Sequence, residues 1–190
     1  MSRNAAKPFV CPWWIGYFLI SPLRRLWQNP GEIIAPYVKE GMTVLDIGPG
    51  MGYFSLEMAW RVGARGRVIC ADIQRKMLDV LKKRAAKAGL EGRITGVVAS
   101  NDSLGLDTYK GSADFALLFA VVHEVPDQAG LFRQLYHAMK PGGVILLSEP
   151  KGHVTDQDFL KTIELAKAAG FAAGDSPDIK HGLSRILKKG

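Results

Sequence analysis

Val44-Leu45-Asp46-Ile47-Gly48-Pro49-Gly50-Met51-Gly52-Tyr53-Phe54 reads as a buried strand that runs into a glycine-rich turn and then into a helix. Gly48, Gly50 and Gly52 can take backbone angles that a Cβ would forbid, so the main chain can be approached closely. The helix that follows offers unpaired N–H groups at its start. Nucleotide-like ligands are held at such strand–turn–helix junctions. A dinucleotide fingerprint wants its third glycine at position 53, where this chain has Tyr53, and that argues against a nicotinamide cofactor.

Working outward from this turn, apolar runs of strand length alternate with helical patterns from Glu40 onward. The alternation predicts an α/β fold, a mostly parallel sheet with helices on both faces. Strands are expected near 43–47, 67–71, 93–98, 113–119 and 143–148, and helices near 53–62, 74–88, 127–139 and 156–169. The segment 171–188 reads as a final strand pair. In Gln74 to Ala88, Met77, Leu78, Leu81 and Ala85 share one side, opposite a lysine and arginine set expected to be a solvated face.

The D-x-G-x-G-x-G run resembles motif I of the class I S-adenosylmethionine-dependent methyltransferases. Three further motifs extend the resemblance over about Glu40 to Pro150. Arg67 to Asp72 puts an acid at the end of the next strand, 20 residues beyond Gly52. Ser112 to Val125 is similar to the family's fourth-strand motif, and Ala138 to Leu147 to its turn into the fifth strand. The resemblance implies a Rossmann-like seven-stranded sheet with an antiparallel C-terminal hairpin. It also implies S-adenosylmethionine as cofactor and methyl transfer to a small-molecule acceptor. Domain boundaries are expected at 1–38, an aromatic, basic, helical extension, and 39–190, the methyltransferase domain.

On this reading Gly48, Gly50 and Gly52 lie under the methionine end of the cofactor. Asp46 accepts bonds near its amino group, or else caps a turn. Asp72 accepts the ribose hydroxyls through charge-assisted bonds, with helix capping as its alternative role. Asn101 and Asp102 share the adenine contact, where the family's Gly-Asp-Ala-like triplet is altered to Ser100-Asn101-Asp102-Ser103. A plain turn is their alternative. His123, past the fourth strand, is placed on the acceptor side. It is either a general base or a pocket residue, because in-line transfer from a sulfonium asks mainly for positioning.

The formal charge of +7 has more than half its excess in residues 1–31, which hold Arg3, Lys7, Arg24 and Arg25 and no acid. Trp13, Trp14, Tyr17, Phe18 and Trp27 suggest a cover for the acceptor site, ordinary core, or peripheral membrane contact through 9–27. The longest apolar stretch, Phe9 to Ile20, is broken by Pro12 and Gly16 and falls short of the roughly 20 residues that span a bilayer. Cys11 and Cys70 have no metal-ligand spacing, so no metal site is expected, and a reduced, cytoplasmic setting fits best. An RNA methyltransferase, the rival suggested by charge, is disfavoured: the fourth-strand motif lacks an Asn/Asp-Pro-Pro-Tyr/Phe run. A non-catalytic cofactor-binding protein is the other rival.

Overall fold

The computed structural model describes Ile20, Arg24 and residues 28–190. Seven strands form one sheet: β1 (Thr43–Ile47), β2 (Arg67–Asp72), β3 (Ile94–Val98), β4 (Ala113–Phe119), β5 (Met139–Pro150), β6 (Phe171–Ala173) and β7 (Gly182–Lys189). Their order is β3-β2-β1-β4-β5-β7-β6. The first five run parallel, while β7 is antiparallel to both β5 and β6. Among the described residues the helices are α1 (Pro30–Ile34), α2 (Ser55–Val62), α3 (Arg75–Lys87), α4 (Gln128–Ala138) and α5 (Asp156–Ala168).

The two-residue period of the strands divides the core. Leu45, Ile69, Ala116, Leu118, Ile145 and Leu147 point to one face, where they pack with Leu131 and Phe132 of α4 and Phe159 and Ile163 of α5. Val44, Val68, Cys70, Phe115, Leu117 and Leu146 point to the other, with Ile34 of α1, Met58 of α2 and Leu78 and Leu81 of α3. A sheet covered on both faces needs apolar residues at every position. This is why the central strands read as unbroken apolar runs.

β5 is longer than the expected 143–148. Met139 already pairs with Ala113, and a register shift before Phe115 absorbs the intervening Lys140-Pro141-Gly142-Gly143 turn, with Gly142 at φ 76°. Asp114 holds this corner: its Oδ1 accepts from Lys140 Nζ at 2.6 Å and its Oδ2 from the Thr43 amide at 2.9 Å. The carboxyl end extends to Glu149 and Pro150 because both pair with β7. Lys189 closes the far end by donating to the carbonyls of Tyr136 and Met139 at 2.6 and 3.0 Å.

The strand order reverses beside β1, which has β2 on one side and β4 on the other. Helices leaving those two strands depart to opposite faces, so a crevice opens above their carboxyl ends. Cys11, Trp13, Trp14, Tyr17, Phe18 and Trp27 lie outside the described residues.

Candidate active site

The turn after β1 is left-handed three times, at Gly48 (φ 66°), Gly50 (φ 54°) and Gly52 (φ 83°). The three glycines serve different ends. A Cβ on Gly48 would stand 2.5 Å from Val121 Cγ2, and one on Gly52 would stand 2.1 Å from Leu81 Cδ1, so these two let the protein pack on itself. A Cβ on Gly50 would meet nothing within 4 Å among the described residues. Gly50 therefore presents bare main chain to the open side of the turn.

Asp72 closes this turn from β2. Its Oδ2 accepts from the Gly50 amide at 3.3 Å and its Oδ1 from the Gln74 amide at 2.8 Å. The second bond is a turn contact to the amide of Gln74, the N-cap residue of α3, and not a side-chain cap on the helix, and Asp72 also lines the crevice. A carboxylate has about four acceptor positions, so these two amides leave capacity for two hydroxyl donors. Burial pushes the Asp72 carboxyl up to about 6, against the two amide bonds that lower it.

Asp46 occupies different surroundings. It is buried, and its Oδ2 accepts from Ser55 Oγ at 2.6 Å on the first turn of α2. Burial raises it to about 7, the Ser55 bond opposes this, and the charge of Asp72 adds to it.

The crevice over β1, β2 and β4 encloses about 800 Å³, counted out to its mouth. Gly48, Asp72, Asn101 and Asp102 all line it. Asn101 and Asp102 are themselves exposed. Their turn is held by Gln134 of α4, which donates to the Asp102 carbonyl at 3.2 Å and accepts from the Leu104 amide at 2.7 Å. Ile73, 43% exposed, adds an apolar platform beside Asp72. Neither Ile73 nor Gln134 stood out in the sequence. An apolar residue directly after a strand-end acid was the available signal for Ile73.

His123 does not line that crevice but sits beside it, in a short 3-10 turn at Val122–Glu124. Ala120 takes φ 56°, a left-handed angle that costs a residue with a Cβ about 1–2 kcal/mol. The bend turns three successive amides toward Glu149 on β5. Glu149 Oε1 accepts from Val121 and Val122 at 3.1 and 2.9 Å, and Oε2 accepts from the His123 amide at 3.3 Å. The same Oε2 also pairs with His123 Nδ1. This bond is the main cause of the raised His123 pKa, with burial opposing it and the charges of Glu149 and Glu124 assisting. Glu149 is buried and is the principal functional candidate that sequence reasoning missed. Its signal was an acid at the carboxyl end of an apolar strand, the pattern that marked Asp72.

An aromatic group stands beside this turn. Phe54 packs on Phe119 at 4.6 Å and edge-on to Tyr53 at 5.3 Å. The Arg24 guanidinium lies 4.4 Å from the Tyr53 ring centroid, and the Tyr53 hydroxyl donates to the Gln28 carbonyl at 2.7 Å. Among the described residues, no cluster of His, Cys, Asp or Glu is arranged to hold a metal ion, and no helix is long and apolar enough to cross a membrane.

A family model described as a methyltransferase domain matches residues 38–188. The chain therefore belongs to the class I S-adenosylmethionine-dependent methyltransferases. It is 30% identical over 164 residues to the ubiquinone/menaquinone biosynthesis C-methyltransferase UbiE of Idiomarina loihiensis, covering 84% of this chain and 64% of that protein. The enzyme of the same name from a Marinomonas species is 31% identical over 140 residues, 71% of this chain and 54% of its own length. The chain thus spans about half to two thirds of the curated relatives it matches. A SAM-dependent methyltransferase from Aquifex aeolicus shares the fold with a TM-score of 0.84 at 20% identity, over 94% of this chain and 99% of the other.

Proposed function

We propose that this protein transfers the methyl group of S-adenosylmethionine to a small-molecule acceptor in the cytoplasm. The observation that carries the reading is the arrangement around Asp72. A carboxylate with spare acceptor capacity stands between a turn that bares its main chain at Gly50 and a crevice lined by Ile73, Asn101 and Asp102. These residues suit an adenosyl group: Asp72 for the ribose hydroxyls, Ile73 for one face of the base, and the Asn101–Asp102 turn for its polar edge. Gly48, Gly50 and Gly52 shape the bed for the methionine end, and Asp46 acts from below through Ser55. Bound there, S-adenosylmethionine supplies an electrophilic methyl on a sulfonium. The remaining work of the chain is to align the acceptor, exclude water and receive a proton where the acceptor has one to lose, which falls to His123.

The named role of the curated relatives, C-methylation in ubiquinone and menaquinone biosynthesis, supports a hydroxylated ring as the first acceptor class to test. Methyl-labelled S-adenosylmethionine incubated with the protein and a fractionated cell extract is the direct experiment. Label is expected in the low-molecular-weight organic fraction, and label confined to RNA would overturn the acceptor class.

Cofactor affinity should depend on pH through Asp72. Hydroxyl donors favour the ionised carboxylate, whereas in the free protein this group is protonated below about 6. Binding must then expel a proton at low pH, so affinity rises with pH up to about 6 and levels off above it, by at most about tenfold per unit for a single group. Asp46, raised to about 7, extends the rise if it too must ionise. Calorimetry with S-adenosylhomocysteine in buffers of different ionisation heat reads the proton count, and a flat profile across the range would refute the role of Asp72.

We also propose that the N-terminal segment contributes to the acceptor site. The contacts of Arg24 and Gln28 with Tyr53 support this, since they bring that end of the chain to the aromatic group beside the glycine turn. A chain beginning at Asn29 is expected to bind S-adenosylhomocysteine and lose methyl transfer. An active, well-folded truncated chain would refute that contribution.

A further inference from the structure

We infer that Glu149 positions His123 as a base: its carboxylate holds the imidazole with the proton on Nδ1 and leaves Nε2 to take the proton of an acceptor hydroxyl. This rests on the proposed methyl transfer and names its acceptor class, a ring bearing an acidic hydroxyl. The geometry is specific. Glu149 lies at the carboxyl end of β5 and receives the amides of Val121, Val122 and His123, so its orientation is fixed by the main chain of the turn that carries His123. The remaining acceptor position of Oε2 meets Nδ1 of the same residue. A carboxylate cannot accept from a bare ring nitrogen, so the pairing selects the Nδ1–H tautomer or the doubly protonated ring.

His123 is fixed there but not sealed in. Its side chain is 23% exposed, and Nε2 has no hydrogen-bond partner among the described residues. Among the described residues, the titratable groups facing the ring are Glu149 from β5, Glu124 from its own turn, and His153, whose ring stands edge-on at 5.7 Å from the loop after β5. A loop staple alone would need the three amide bonds and no ring contact.

The step balances as follows. The hydroxyl proton passes to Nε2, and the electron pair left on oxygen is delocalised to a ring carbon. The bond from that carbon to the methyl forms as the methyl–sulfur bond breaks. The proton on the same carbon is then lost to solvent, its bonding pair restores the ring and the oxygen anion, and that oxygen takes back the proton held on Nε2. The net products are the methylated hydroxyl-bearing ring, S-adenosylhomocysteine and one proton.

Imidazole nitrogen NMR on the full chain with S-adenosylhomocysteine, with His123 assigned by its absence in His123→Gln, tests the inference. Neutral wild-type His123 should carry its proton on Nδ1 and titrate above an ordinary histidine. In Glu149→Gln the midpoint should fall and the tautomers should mix. Methyl transfer to the label-accepting fraction should rise with pH through the same midpoint. Its plateau in Glu149→Gln should drop by about 10²-fold, the lower end of what a positioned base contributes, while cofactor KM stays within about threefold. A wild-type ring protonated on Nε2, or a midpoint unmoved by Glu149→Gln, would overturn the inference. If that variant does not fold, the wild-type tautomer alone decides. Loss of calorimetric S-adenosylhomocysteine binding by the wild type would instead sink the underlying methyl-transfer reading.

Discussion

Asp72→Ala is expected to weaken S-adenosylhomocysteine binding roughly 10- to 150-fold, the equivalent of one charge-assisted hydrogen bond at about 1.5–3 kcal/mol. Two losses act together. The ribose hydroxyls lose their acceptor, and the Gly50 amide loses the carboxylate that holds the glycine turn against β2. Folding stability should move far less, because at neutral pH the substitution also removes an ionised carboxylate from a buried position, offsetting the lost bond to Gln74. Asp72→Asn separates charge from shape. It keeps an acceptor oxygen but cannot ionise, so the rise of affinity with pH should disappear while part of the affinity remains. Calorimetry on the three proteins reads both effects, and an unchanged affinity in Asp72→Ala would remove Asp72 from the site.

The readings that succeeded are those in which a local pattern determines its own geometry. A strand, three glycines and a helix in direct succession leave the turn few alternatives, and Gly48, Gly50 and Gly52 are all left-handed. Asp72 follows from the same logic, since the last residue of a parallel strand must stand at the carboxyl edge of the sheet. Asp46 is harder. From the sequence it stands one strand over from Asp72, yet side-chain alternation turns it toward α2, where Ser55 takes it. Asn101 and Asp102 stayed undivided because both are exposed on one surface turn, and what orders that turn is Gln134, a helix residue about 30 positions away.

Glu149 was illegible for a related reason. Its role exists only once β4 and β5 pair in register and Ala120 bends the chain back over the end of β5, and both are tertiary events. The extent of β5 was misjudged on the same account. Gly142-Gly143 reads as a turn that ends one element and begins another, whereas a register shift carries the strand through it.

Glu149→Ala is accordingly expected to be among the most damaging single substitutions in the domain. Removing the carboxylate leaves three amides at Val121, Val122 and His123 without their acceptor in a buried corner, together with the imidazole. Breaking a buried charged network on one side costs roughly 3–5 kcal/mol, a fall in Tm of about 6–20 °C for a chain of this size. The damage should spread to the neighbouring crevice, because Val121 packs against Gly48 and a loosened turn would free that glycine to leave its left-handed position. Cofactor affinity in Glu149→Ala should therefore fall along with stability. Glu149→Gln, which keeps a carbonyl oxygen for the Val121 and Val122 amides, should retain most of both. Thermal melting and cofactor titration of the two variants distinguish the contributions. A Tm in Glu149→Ala within about 2 °C of wild type would mean that water replaces the carboxylate at little cost, and that the turn is held by packing instead.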